Sequence, residues 1–92
     1  MVSKDVTITC QYGLHMLPSI MLSKMMREYY GCEVRIHYKD KDINAKDIMD
    51  LLRNHLKHDS RVTLVCDGKH EEQALKDITW FIEEKLNTLP HK

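Results

Sequence analysis

The chain has no excess of charge of either sign: its 92 residues carry 14 basic and 14 acidic side chains, for a formal net charge of zero. Lys and Arg are interleaved with Asp and Glu rather than gathered into a stripe, which removes the electrostatic footprint of a nucleic-acid binder or of a protein held on an anionic membrane. Long apolar runs are also missing. None approaches the roughly 18 residues that a bilayer crossing requires, and Met1-Val2-Ser3-Lys4-Asp5 lacks a signal-peptide core. A cytoplasmic location without membrane insertion is therefore expected. Cysteine is scarce and odd in number: Cys10, Cys32 and Cys66 show no C-x-x-C spacing, so neither a disulfide framework nor a zinc knuckle is indicated. Each ends an apolar stretch, where a free thiol acts as a small buried hydrophobe. Linkers, repeats and low-complexity segments are absent. Residues 1–88 are expected to form one domain, and 89–92, with Pro90 and His91, a frayed tail.

What is there is regular patterning. Residues 4–10 alternate apolar Val6, Ile8 and Cys10 with polar neighbours, which predicts a strand with one wet face. Pro18 stands at the entry to a stretch rich in helix formers, Ser19 to Tyr30, that ends at Gly31. Glu33 to Tyr38 alternates again, and a charged turn, Lys39-Asp40-Lys41-Asp42, leads to a short strand around Ile43, so the two read as a hairpin. Asp47 can cap a short helix from Ile48 to about Leu56. A fourth strand, Arg61 to Cys66, directs Val62, Leu64 and Cys66 inward. From Glu71 to Leu86, Ala74, Leu75, Ile78, Ile82 and Leu86 recur at helical spacing.

The order β-α-β-β-α-β-α predicts an α+β fold. Four strands of this length cannot close a barrel, so helices must cover one sheet face and leave the other wet. The expected architecture is an open-faced β-sandwich: a four-stranded antiparallel sheet with three helices on one face, the short middle helix near an edge.

Six histidines supply the candidate chemistry, since imidazole changes charge between pH 5 and 8. His15 stands out. It follows Gly13-Leu14 and directly precedes the first turn of the Pro18 helix. Backbone N–H groups converge at a helix start with about half a positive charge. That field disfavours imidazolium, leaving a neutral nucleophilic nitrogen, and offers an anion site for whatever that nitrogen carries. A phosphoryl group satisfies both conditions. The competing reading is that His15 merely caps the helix or satisfies a hydrogen bond.

Val6-Thr7-Ile8-Thr9, then Gly13-Leu14-His15-Met16-Leu17-Pro18, and later Asn44-Ala45-Lys46-Asp47-Ile48-Met49 resemble HPr, the histidine-containing phosphocarrier family of the bacterial phosphoenolpyruvate-dependent sugar phosphotransferase system. The resemblance covers nearly the whole chain. It implies that His15 takes a phosphoryl group on Nδ1 from phosphorylated Enzyme I and passes it to the IIA domain of a sugar transporter. On that reading the chain is a carrier rather than an enzyme, and it needs no cofactor or metal. Met16, Leu17 and Pro18 form the phosphate site, with the Met16 and Leu17 N–H groups as donors and Pro18 fixing the helix start. The family's docking surface corresponds to Met16, Leu17, Ile20, Ile48, Met49 and Leu52, an apolar set able to repack against differently shaped partners.

Two positions depart from the family pattern. The motif normally has Arg two residues after the histidine, where its guanidinium can fork onto phosphate; this chain has Leu17. Lys24 and Arg27 lie about two turns further on and are poor substitutes. Asp47 matches a position where many members carry a regulatory serine, so it can place a fixed negative charge near the docking surface, serve as a helix cap, or do both. Both departures motivate an alternative: a regulatory protein-binding module on the same fold, with weak or no phosphotransfer. Met21 and Met25 are expected to be buried, and Met16, Leu17 and Met49 exposed. His55 and His58, three apart near the end of the middle helix, could share a face as a metal pair, although no further ligand stands at suitable spacing.

Overall fold

The computed structural model describes residues 1–89. Its elements follow the expected order: β1 (Val2–Thr7), α1 (Met16–Met26), β2 (Cys32–Tyr38), β3 (Lys41–Asn44), α2 (Ile48–Arg53), β4 (Arg61–Gly68) and α3 (Glu71–Glu83), closed by a 3₁₀ turn (Lys85–Thr88). The strands form one antiparallel sheet in the order β1-β4-β2-β3. All three helices lie against one face, and the short α2 sits beside the edge strand β3.

The sheet order explains the strand compositions. β4 lies at the centre, with Val6 opposite Val62 in β1 and Val34 opposite Cys66 in β2. Only a central strand can also bury a residue on the open face, and Val65 is 9% exposed there. Elsewhere that face is polar: Thr63 Oγ1 donates to Asp5 Oδ1 at 2.7 Å, and Arg35 Nε donates to Asp42 Oδ1 at 2.9 Å. The Arg35 guanidinium holds the Asp42 carboxyl below its usual range, and His37 Nε2 lies 3.3 Å from the same oxygen. The edges are protected. β3 has four residues, and β1 turns Lys4 toward the helix side, where its Nζ lies 4.0 Å from Glu83 of α3. A short edge and an inward-pointing charge both discourage pairing with another sheet.

Several boundaries differ from the expectations, each because a backbone group has a tertiary partner. Inward alternation at Val6, Ile8 and Cys10 is correct, but β1 ends at Thr7: Ile8 bonds to the loop before β4, through Ile8 N to Ser60 O at 2.9 Å and Asp59 N to Ile8 O at 2.7 Å. α1 begins at Met16 rather than Ser19 and stops at Met26 instead of reaching Tyr30. The Tyr29 hydroxyl donates to Asp77 of α3, and Lys46 Nζ donates to Tyr29 O at 2.6 Å, so this stretch turns onto its neighbours rather than winding on. Burial, reinforced by Asp77, pushes the Tyr29 phenol up to about 12. α2 ends at Arg53, because Leu56 enters the core and its carbonyl accepts from Leu14 N at 2.8 Å. α3 buries Phe81 and Thr79 besides the expected Ala74, Ile78 and Ile82.

The core fills the space between sheet and helices, with Ile8, Leu14, Leu22, Met26, Ile36, Ile43, Leu64, Ile78, Ile82 and Leu86 fully enclosed. All three cysteines are buried and none forms a disulfide, and burial raises the Cys66 thiol to about 12. Leu89 is 8% exposed and packs with the core, so the expected loose end does not begin at 89; Pro90, His91 and Lys92 lie outside the described residues. Met21 and Met25 are half-buried rather than buried, lining a groove between α1 and α3 with Trp80 and Phe81.

Candidate functional site

The loop before α1 is fixed by backbone contacts at both ends. Cys10 is buried, and its carbonyl accepts from Gly13 N at 3.0 Å, closing a tight turn through Gln11 and Tyr12. Gly13 then adopts φ +66, a left-handed conformation that favours glycine. It passes so close to the chain after α2 that an added Cβ would lie 2.3 Å from Leu56 O. Leu14 follows, wholly buried. These constraints deliver His15 to the start of α1 as its N-cap, in extended conformation with φ −86 and ψ −164.

The imidazole makes no capping hydrogen bond to its helix. The side chain is half-buried and meets the Tyr12 ring edge-on, with centroids 6.5 Å apart and planes at 80°. Sequence reasoning missed Tyr12: a tyrosine in a turn carries no signal of what it will face.

The first helical bond runs from Ser19 N to His15 O at 3.0 Å. The N–H groups of Met16 and Leu17 therefore lie outside the i→i−4 ladder, and Pro18, the third helical residue, contributes none. Pro18 is buried and helps seat the helix start. Ser19 and Ser23 are buried too, with their hydroxyls donating to Leu14 O at 3.2 Å and Ile20 O at 3.0 Å. On the outer side, Met16 is 62% exposed and Leu17 and Ile20 are each 41% exposed. α2 packs against α1 and presents Met49, 62% exposed, while Ile48 and Leu52 are half-buried.

Arg27, Lys46 and Arg53, among the cationic side chains of the surrounding elements, have partners away from the start of α1. Lys24 lines the α1–α3 groove, Arg27 Nε donates to Ser23 O at 3.2 Å, Lys46 reaches Tyr29 O, and Arg53 pairs with Asp50 at 3.4 Å. Lys57 acts on Tyr38, whose phenol is lowered chiefly by Ser60 and also by Lys39 and Lys57. Asp47 caps α2, accepting from Met49 N at 3.0 Å and Asp50 N at 3.4 Å. His55 and His58 lie beyond the end of α2, so they do not share a helix face; His58 Nε2 is 3.3 Å from the neighbouring Asp59. Among the described residues no group of three or more His, Cys, Asp or Glu could hold a metal ion, and no helix is long and apolar enough to cross a membrane.

An open-faced sandwich whose first helix starts on a histidine defines a domain of the small phosphocarrier class. Residues 2–84 match the family model described as "PTS HPr component phosphorylation site", and the chain belongs to the HPr family of the phosphotransferase system. Members of that family are phosphocarriers rather than enzymes in the ordinary sense. The HPr-like protein Crh of Halalkalibacterium halodurans is 29% identical over 85 residues, covering 92% of this chain and 100% of that protein. The phosphocarrier protein HPr of Buchnera aphidicola subsp. Baizongia pistaciae is 30% identical over 82 residues, covering 89% and 95%. The crystal structure of HPr-C-His from Thermoanaerobacter tengcongensis superposes with a TM-score of 0.88 over 98% of this chain and 100% of that one; at 24% identity it speaks for the fold alone.

Proposed function

We propose that this protein is a phosphocarrier in which His15 accepts a phosphoryl group from phosphorylated Enzyme I and passes it to the IIA domain of a sugar transporter, in the cytoplasm. The carrying observation is the placement of His15 at the start of α1, next to two N–H groups outside the helical ladder, in a chain of the HPr family. In each transfer a P–N bond forms on the accepting histidine as the P–N bond on the donor breaks. The two states are therefore similar in energy, and the carrier has only to align the group and tolerate its charge. Met16 and Leu17 supply moderate electrostatic stabilisation through their backbone, with no metal. Too tight a phosphate clamp would trap the cargo. With Leu17 in place of Arg, no side chain of α1's first turn adds a positive charge, and the apolar surface of Met16, Leu17, Ile20, Ile48, Met49 and Leu52 is the docking face. Incubation with purified bacterial Enzyme I and labelled phosphoenolpyruvate should place an acid-labile, hydroxylamine-sensitive label on the protein. His15→Ala should abolish it, and persistence of the label in that variant, or its absence from the wild type, refutes the proposal.

A second reading, a regulatory protein-binding module with weak phosphotransfer, is supported by the relatives named HPr-like protein Crh together with Leu17 and Asp47. On this reading a regulatory protein occupies the same apolar face.

A further inference from the structure

We infer that Tyr12 is a positioning residue for the His15 imidazole, a role that rests on His15 being the phosphoryl acceptor. A histidine transfers phosphate efficiently only if its reacting nitrogen is held in line with the incoming phosphorus. Most of the restraint at a helix N-cap is on the backbone; the ring itself still turns about two side-chain bonds. An N-cap side chain is ordinarily tethered by a bond to the first-turn N–H groups, and the His15 side chain makes no such bond. Its ring meets that of Tyr12 edge-on.

Tyr12 is suited to this by where its backbone stands. It is the third residue of the turn closed by Gly13 N and Cys10 O. One end of that turn is anchored by the buried Cys10, and the other by Gly13 wedged beneath Leu56 O. The tyrosine thus projects from a rigid stalk, although its own side chain is about half exposed. A near-perpendicular ring pair at this separation is the favourable quadrupolar arrangement for aromatic groups, and it resists rotation of either plane. Because Tyr12 contributes little to the core, its effect on His15 is separable from folding.

Phosphoramidate tests the contact without any protein partner. In the reaction the imidazole nitrogen lone pair attacks phosphorus, the P–N bond of the N-protonated reagent breaks, and ammonia leaves with that electron pair. Tyr12→Ala should lower the rate of His15 phosphorylation about two- to tenfold, the range that the loss of one aromatic pair implies, and should shift the ¹⁵N resonances of the unmodified His15 ring. Tyr12→Phe keeps the ring edge and should restore most of both properties, whereas Tyr12→Leu, bulky but not aromatic, should not. A wild-type rate and ring spectrum in Tyr12→Ala would overturn the inference. So would a Phe variant as impaired as the Ala variant, since the phenol hydroxyl rather than the ring would then be responsible. If the wild type itself takes no phosphate from phosphoramidate or from Enzyme I, the carrier reading fails, while the ring spectra still decide whether Tyr12 orients His15.

Discussion

The starts of α1 and α2 each follow an N-cap residue in extended conformation, but they differ in electrostatics. At α2 the Asp47 carboxylate accepts from Met49 N and Asp50 N, so the helix start is neutralised from within. At α1 the cap is His15, the first turn holds no acidic residue, and the side chain makes no capping bond. The difference follows from what holds each helix in place. Six residues with Leu51 as the one buried side chain form a marginal helix that depends on its cap. α1 has eleven residues and buries Pro18, Ser19, Leu22, Ser23 and Met26, so its packing can sustain a start that has no side-chain capping bond. A third start shows that a histidine alone does not make such a place. His70 caps α3 with φ 58, but Glu71 and Glu72 follow directly, and Glu71 Oε1 accepts from Gly68 N at 3.0 Å, putting negative charge where an anion would bind.

Substitutions at three positions probe this contrast, from the largest expected effect to the smallest. Leu17→Arg adds to the α1 start the charge that backbone alone does not supply. A charge-assisted contact of roughly 1.5–3 kcal/mol should speed phosphotransfer from Enzyme I by about one to two orders of magnitude. An unchanged rate in a steady-state transfer assay would mean that a partner already provides this charge. Gly13→Ala should disturb the α1 start specifically, because its Cβ would meet backbone atoms that cannot move aside and because φ is positive. A loss of roughly 1–3 kcal/mol in urea unfolding is expected, together with slower His15 phosphorylation; a stability equal to wild type would show that the loop is not the rigid mount described above. Asp47→Ala should cost about 1 kcal/mol by loss of the α2 cap, whereas Asp47→Ser should be nearly neutral. If both lower stability equally, something other than capping makes Asp47 necessary, and if either changes His15 phosphorylation, the two helix starts are not independent.

Much of the fold is legible in the chain because strand and helix periods are local. The inward residues of β1 and β4, the hairpin of β2 and β3, and the Asp47 cap follow from spacing alone. Where expectation and structure part, the cause is a contact distant in sequence. α2 stops short because Leu56 O bonds to Leu14 N, and α1 because Tyr29 reaches Asp77 and Lys46. Met21 and Met25 look like core residues from composition, yet they line a groove because α3 presents Trp80 and Phe81 beside them.

By itself the sequence determined the order of elements, the covered and the open face of the sheet, and the position of His15 at a helix start. Each of these depends on neighbours within a few residues, through side-chain alternation, helix period and the conformational limits of Gly and Pro. Tertiary structure decided the placement of β4 at the centre of the sheet, the anchoring of Gly13 under Leu56 O and the engagement of Lys46 by Tyr29 O. These depend on pairs of residues whose encounter requires the chain to have closed on itself, and no local pattern encodes the direction from which the second partner arrives.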